Sequence, residues 1–184
     1  VTLEDLDNAL ALFGAPTTFP NDGGATDNIS AIYVSRRDAA GGFYTAVRDN
    51  FIKAQAAIEQ GFPDERDEAV AAIIENWEKG LGATIINYLY GTVGNINLGT
   101  ENDYAEAMHD WGEAVGFLHG FYQVNNTIIT DSEIDAALTL INYPRTGTPT
   151  PVALTTSASE LADVQQAIDD LATIYGFNDP SIFQ

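Results

Sequence analysis

The tightest constraint on this chain is a series of paired helix start and stop signals. Thr2 precedes an apolar-periodic run with Asp5 three residues on, and Gly14 lies beyond its end. Gly61 closes a second run, and Pro63-Asp64 opens a third. Thr100 can cap a fourth, while Thr130-Asp-Ser-Glu133 and Ser157-x-x-Glu160 are capping boxes. In a capping box a hydroxyl and a carboxylate reciprocally satisfy backbone N–H groups that have no partner within the helix. Gly176 ends the last run as a C-cap. Between these signals the apolar residues recur at helical spacing, and no alternating strand pattern with flanking turns competes.

These signals predict an all-α fold: an antiparallel bundle of five to six helices with neighbours joined by short loops. The expected helices cover residues 2–12, 35–60 interrupted or bent near Gly41-Gly42, 63–90, 101–124, 131–141 and 158–175. Residues 14–30 read as loop. The stretch GTVGNINLG from Gly91 reads as a turn-rich connection, and 143–156, with three prolines, as a surface excursion. All 184 residues are expected to form a single helical domain. The start at Val1 rather than Met suggests a mature or excised piece of a longer protein.

Charge narrows the partners. There are 27 Asp and Glu against 7 Lys and Arg, a formal net charge of −20. That argues against nucleic acid and anionic membrane surfaces, which need basic patches. The imbalance is graded: after Lys79 only Arg145 is basic, against thirteen acids. No apolar run approaches the ~20 residues that span a bilayer. Absence of cysteine excludes disulfides and thiolate chemistry.

Two segments resemble each other at an offset of 34. WEKGLGATIINYL from Trp77 aligns with WGEAVGFLHGFYQ from Trp111, matching Trp77 to Trp111, Gly82 to Gly116 and Tyr88 to Tyr122. Two copies on helices of this length do not make a tetratricopeptide array. An old duplication and a chance likeness of amphipathic helices both account for it, and either predicts a helical hairpin.

Projected at 100° per residue, Tyr104, Met108, Trp111, Val115, Leu118 and Tyr122 form an apolar face. On the other side Gly112, Gly116 and Gly120 recur every fourth residue, with Glu106, His109 and Glu113. Interior glycines cost about 1 kcal/mol each relative to Ala, so the stripe is expected to be covered by another backbone or a bound group. His109 and Glu113, one turn apart, then read either as a hydrogen-bonded packing pair or as two ligands of a divalent metal or iron ion. Glu106, Glu75 and Glu78 are the candidate supporting carboxylates, although Lys79 stands one turn from Glu75 and can pair with it. Trp77, Trp111, Gly112, Gly116, Gly120 and Tyr88 are the candidate ligand or helix-contact residues.

Other signals are weaker. His119 reads as a partly exposed helix residue. No nucleophile motif, P-loop or dinucleotide fingerprint is present, and no residue is assigned a catalytic role. Asn21 to Asn28 (NDGGATDN) is oxygen-rich but lacks the EF-hand spacing. Asn28-Ile-Ser30 and Asn125-Asn-Thr127 match the glycosylation sequon.

The stretches RDEAVAAIIENWEKGLGATIINYL, ENDYAEAMHDWGEAVGFLHGFY and ITDSEIDAAL, in this order, carry a family resemblance. They resemble the C-terminal half of an uncharacterised lipoprotein family of Bacteroidetes, catalogued as domain of unknown function 4856. Trp77, Glu78, Tyr88, His109, Trp111, Glu113, Gly116 and Phe117 occupy its motif positions, over roughly residues 30–142. That family is distantly similar to the imelysin-like helical proteins of the cell envelope, linked to iron acquisition. Their His-x-x-Glu signature is here His109-x-x-x-Glu113. The resemblance implies an exported protein: periplasmic, extracellular or anchored as an outer-membrane lipoprotein.

The combined expectation is a non-catalytic helical domain of an exported envelope protein. It would bind a metal ion or small ligand, as in iron acquisition, with another part of the same protein or an envelope protein as partner. The alternative is a structural or interaction module without ligand. The third reading is a metallopeptidase of imelysin type, for which the required His-Glu-x-x-His helix is missing.

Overall fold

The structure is a computed structural model that describes residues 1–15, 19, 29–125 and 127–184. The candidate calcium loop Asn21–Asn28 lies outside the described residues, as do Asn28 and Asn126 of the two sequons. The described chain is all helix, without strands: α1 Leu3–Phe13, α2 Ile29–Arg36, α3 Asp38–Gly41, α4 Phe43–Gln60, α5 Pro63–Leu98, α6 Glu101–Phe121, α7 Asp131–Leu140 and α8 Ala158–Tyr175. Two 3-10 turns, Pro151–Thr155 and Pro180–Phe183, complete it. No helix among the described residues is long and apolar enough to cross a membrane.

The caps explain most boundaries. Thr2–Asp5, Thr100–Asp103 and Thr130–Glu133 each form a reciprocal capping box. The hydrogen bonds from Thr130 hold the Glu133 carboxyl below the usual carboxylate range. The second expected box, Ser157-x-x-Glu160, is only half made. Ser157 accepts from the Glu160 backbone N–H at 3.4 Å, but the Glu160 carboxylate accepts from Asn142 Nδ2 at 2.7 Å. Asn142 is in the left-handed region (φ 62°) just past α7, a position asparagine tolerates better than most residues.

The start of α2 and the end of α5 differ from expectation. At Gly41-Gly42 the expected interruption is a full break: Gly42 adopts φ +69°, and Asp38 accepts from both the N–H and the hydroxyl of Thr45 in the first turn of α4. Ahead of it lie α3, which ends at Gly41, and α2, which starts at Ile29 and ends at Arg36. More consequentially, GTVGNINL is not a connection. It is the last two turns of α5, which stops only at Gly99 (φ +80°). Leu89, Thr92 and Ile96 are buried at helical spacing through this stretch. Burial of a large aliphatic side chain contributes about 1.5–3 kcal/mol, enough to offset about 1 kcal/mol per helical glycine.

The chain divides into two compact units, Val1–Leu81 and Gly82–Gln184, with the boundary inside α5. In the first, α1, α2 and α4 pack around Phe13, whose ring lies 5.8 Å from that of Tyr44 and 4.9 Å, edge-on, from that of Trp77. In the second, α7 packs against both α6 and α8. There Ile85, Leu118, Ile134, Leu138 and Ile168 are fully buried. Tyr88 stacks on Phe117 and Asn95 bonds Asp110, so α5 from Gly82 onward runs antiparallel to α6, as the hairpin reading expects.

Candidate functional site: a polar cleft in the second unit

The residues singled out from the sequence separate into several environments. On α6 the apolar face is inside, as expected, with Ala114, Val115 and Leu118 buried; Trp111 is half-buried and donates its indole N–H to the Ile141 carbonyl at 2.7 Å. The glycine stripe is not covered. Gly112, Gly116 and Gly120 are exposed, and a Cβ built on any of them would meet nothing within 4 Å. The helix buries its other face, so these glycines answer to no close approach among the described residues.

His109 and Glu106 share that exposure. The His109 side chain is 62% exposed and its Nε2 lies 4.0 Å from Glu113 Oε1, at the outer limit of an ion pair. Glu75 pairs with Lys79 at 2.6 Å on the exposed surface of the first unit, and Glu78 is buried in that unit. Among the described residues no group of three or more His, Asp or Glu is placed to hold a metal ion.

Tyr88, by contrast, lines a cleft of 480 Å³. Asn87, Tyr90, Gly91, Gly94, Asp110, Gln165 and Gln184 line it too, so it is built from the end of α5, the middle of α6, α8 and the C-terminal turn. Its volume falls in the range of small-molecule sites, about 300–1,000 Å³.

The local chemistry has clear causes. Gly91 lets Asp110 lie against α5, because a Cβ there would collide with the Asp110 carboxylate. Asn95 Nδ2 then donates to Asp110 Oδ2 at 3.1 Å. Burial is the main influence on this carboxyl and pushes it above the usual range; Glu106 and Glu113 add to the rise, while His109 and the Asn95 hydrogen bond oppose it. Burial likewise raises Tyr90, against a hydrogen bond with Gln165. Asn87 donates to the Phe183 carbonyl at 2.6 Å, which fixes the C-terminal turn beside the cleft.

A second polar cluster lies at the other end of α6. Tyr122 donates its hydroxyl to Asp135 in a short hydrogen bond, and Arg145 both lies over the Tyr122 ring at 4.8 Å and approaches Asp135 at 3.4 Å. Burial, the hydrogen bond to Asp135 and its charge push the Tyr122 hydroxyl up to about 12. His119 is half-buried between the rings of Tyr122 (5.6 Å) and Tyr143 (5.3 Å), and its buried Nε2 has no hydrogen-bond partner among the described residues. This cluster holds α6, α7 and the following excursion together.

Asp110, Tyr90, Asn87, Gln165 and Gln184 were not singled out by sequence reasoning. The available signal was Gly91 and Gly94, two glycines inside a run whose buried period continues through Ile96. Reading them as a turn hid the cleft.

No family model matches the chain, and no curated protein or solved structure is similar to it.

Proposed function

We propose that the chain is a non-catalytic helical binding domain that takes a small polar ligand in the cleft of its second unit. The observation that carries this reading is the Asp110 carboxylate, seated over Gly91 and partly buried at a 480 Å³ concavity lined by amides and two tyrosines. A partly desolvated carboxylate beside a concavity is a group poised for a partner. Its lining among the described residues has no Ser, Thr, Cys, His or Lys, which favours binding over catalysis. A setting in the bacterial envelope, with a role in uptake or iron acquisition, is the biological part of the same proposal. It rests on the resemblance to the lipoprotein family.

Gly94 supplies the test. It is exposed, a Cβ on it meets nothing within 4 Å, and it lines the cleft. Gly94→Leu adds helix propensity of up to about 1 kcal/mol while filling the space. In a thermal-shift screen of small polar molecules, hits should raise the melting temperature of the natural protein and leave Gly94→Leu unmoved. Equal shifts in both proteins would place binding elsewhere.

A further inference from the structure

We infer that the ligand of this cleft is an organic cation, a small molecule bearing a protonated amine or quaternary ammonium, held by Asp110 and the faces of Tyr88 and Tyr90. The inference rests on the binding reading above and specifies its chemistry.

Three observations converge on it. First, Asp110 has no ion-pair partner among the described residues: its one hydrogen bond, from Asn95 Nδ2, occupies Oδ2. Arg145, the only Lys or Arg between Gly82 and Gln184, approaches Asp135 instead. A carboxylate that has lost part of its hydration recovers that loss from an opposite charge and recovers less from a neutral hydroxyl. Second, two tyrosines, Tyr88 and Tyr90, are among the lining residues, and cations are attracted to the negative face of an aromatic ring. The Tyr88 ring is already oriented by its stack on Phe117, 6.2 Å between centroids. Third, Asn87 gives one of its two amide N–H groups to the Phe183 carbonyl, and its Oδ1 accepts no hydrogen bond among the described residues, which leaves at the cleft an acceptor suited to a donor-bearing ligand.

The wider field points the same way. From Gly82 to Gln184 there are thirteen Asp and Glu against one Arg. Such a field raises the local concentration of cations and repels anions. It supplies steering; the specificity comes from Asp110 and the rings.

The test uses choline and agmatine as cationic probes and 3,3-dimethyl-1-butanol as the uncharged shape analogue of choline, each titrated into the whole chain and followed by NMR. At least one cation should bind about tenfold or more tighter than the alcohol. Asp110→Asn, which keeps the shape, should abolish that difference, and Gly94→Leu should abolish binding of all three. Neither cation binding more tightly than the alcohol, or cation binding unchanged by Asp110→Asn, would overturn the cation assignment while leaving a ligand site wherever Gly94→Leu still blocks it. Failure of all three probes to bind overturns the cation assignment. If Gly94→Leu also blocks no hit of the wider screen, the binding reading falls with it.

Discussion

The segments beginning at Trp77 and Trp111 look alike in sequence and live in different surroundings. Trp77 packs edge-on against Phe13 in the first unit, whereas Trp111 packs beside Tyr143 and spends its indole N–H on the Ile141 carbonyl. Gly82 lies beneath the buried ring of Tyr175, where a Cβ would come within 2.5 Å; its counterpart Gly116 faces open space. Tyr88 stacks on Phe117 and lines the cleft, while Tyr122 is tied by its hydroxyl to Asp135. What the copies share is an apolar helical period. What they do not share is the use of each special residue, because that use is set by whichever element packs over it. A glycine in a helix therefore signals a close approach in one copy and nothing of the kind in the other.

The largest expected effect tests that contrast directly. Gly82→Ala forces a methyl against a ring that is only 2% exposed, and overpacking of this kind costs about 1–3 kcal/mol. Gly116→Ala fills no occupied space and removes the helix-interior penalty of glycine, a gain of up to about 1 kcal/mol. Calorimetry should show the melting temperature falling in the first variant and rising in the second, by about 2–4 °C per kcal/mol. Two shifts of the same sign would break the comparison.

The aligned tyrosines give a smaller effect with a pH signature. Tyr122 is pushed up to about 12, chiefly by burial and then by Asp135. A phenol whose folded value lies above its unfolded value of about 10 binds its proton more tightly when folded. Its contribution is full below about pH 10 and is lost as the pH rises through about 12. Phenolate absorbance should show a tyrosine ionising near 12 in the natural protein and absent from Tyr122→Phe. Removing the hydroxyl should cost about 1 kcal/mol at neutral pH. A titration curve unchanged by the substitution would mean that Tyr122 is not distinct from the other tyrosines.

Much of the fold was legible because it is encoded locally. Thr2, Thr100 and Thr130 each sit three residues before an acid, and Gly61 and Gly176 sit at left-handed stops, so start and stop positions could be read within one or two residues. The end of α5 was not legible by the same rule. Gly91, Gly94 and Asn95 carry the local chemistry of a turn, and only tertiary burial of Leu89, Thr92 and Ile96 overrides it. The site followed the same logic. Tyr88 could be flagged as a candidate from its place in the repeat, but Asp110 gains meaning only when Gly91 comes opposite it across the hairpin. Gln165 and Gln184 arrive from far along the chain, and nothing in their neighbourhoods announces a cleft. The stripe of Gly112, Gly116 and Gly120 misled because periodicity shows which residues share a face and does not show what, if anything, covers that face.

His109 carries the smallest expected effect and completes the contrast between the stripe and the cleft. Its side chain is mostly exposed and 4.0 Å from Glu113, and exposed ion pairs are worth about 0–1 kcal/mol. A metal ion there would have two protein donors on one helix turn, with no third His, Asp or Glu in a ligating group among the described residues. Stable sites for transition metals normally take three or four. His109→Ala should therefore leave both the melting temperature and the metal content of protein purified without chelator unchanged within error. Asp110→Asn, one residue along, should alter cation binding in the cleft. Both residues lie on one helix, but only Asp110 faces a partner helix with bare backbone opposite it. If elemental analysis instead finds one ion per chain that disappears with His109→Ala, the exposed stripe, and not the cleft, is where this protein does its chemistry.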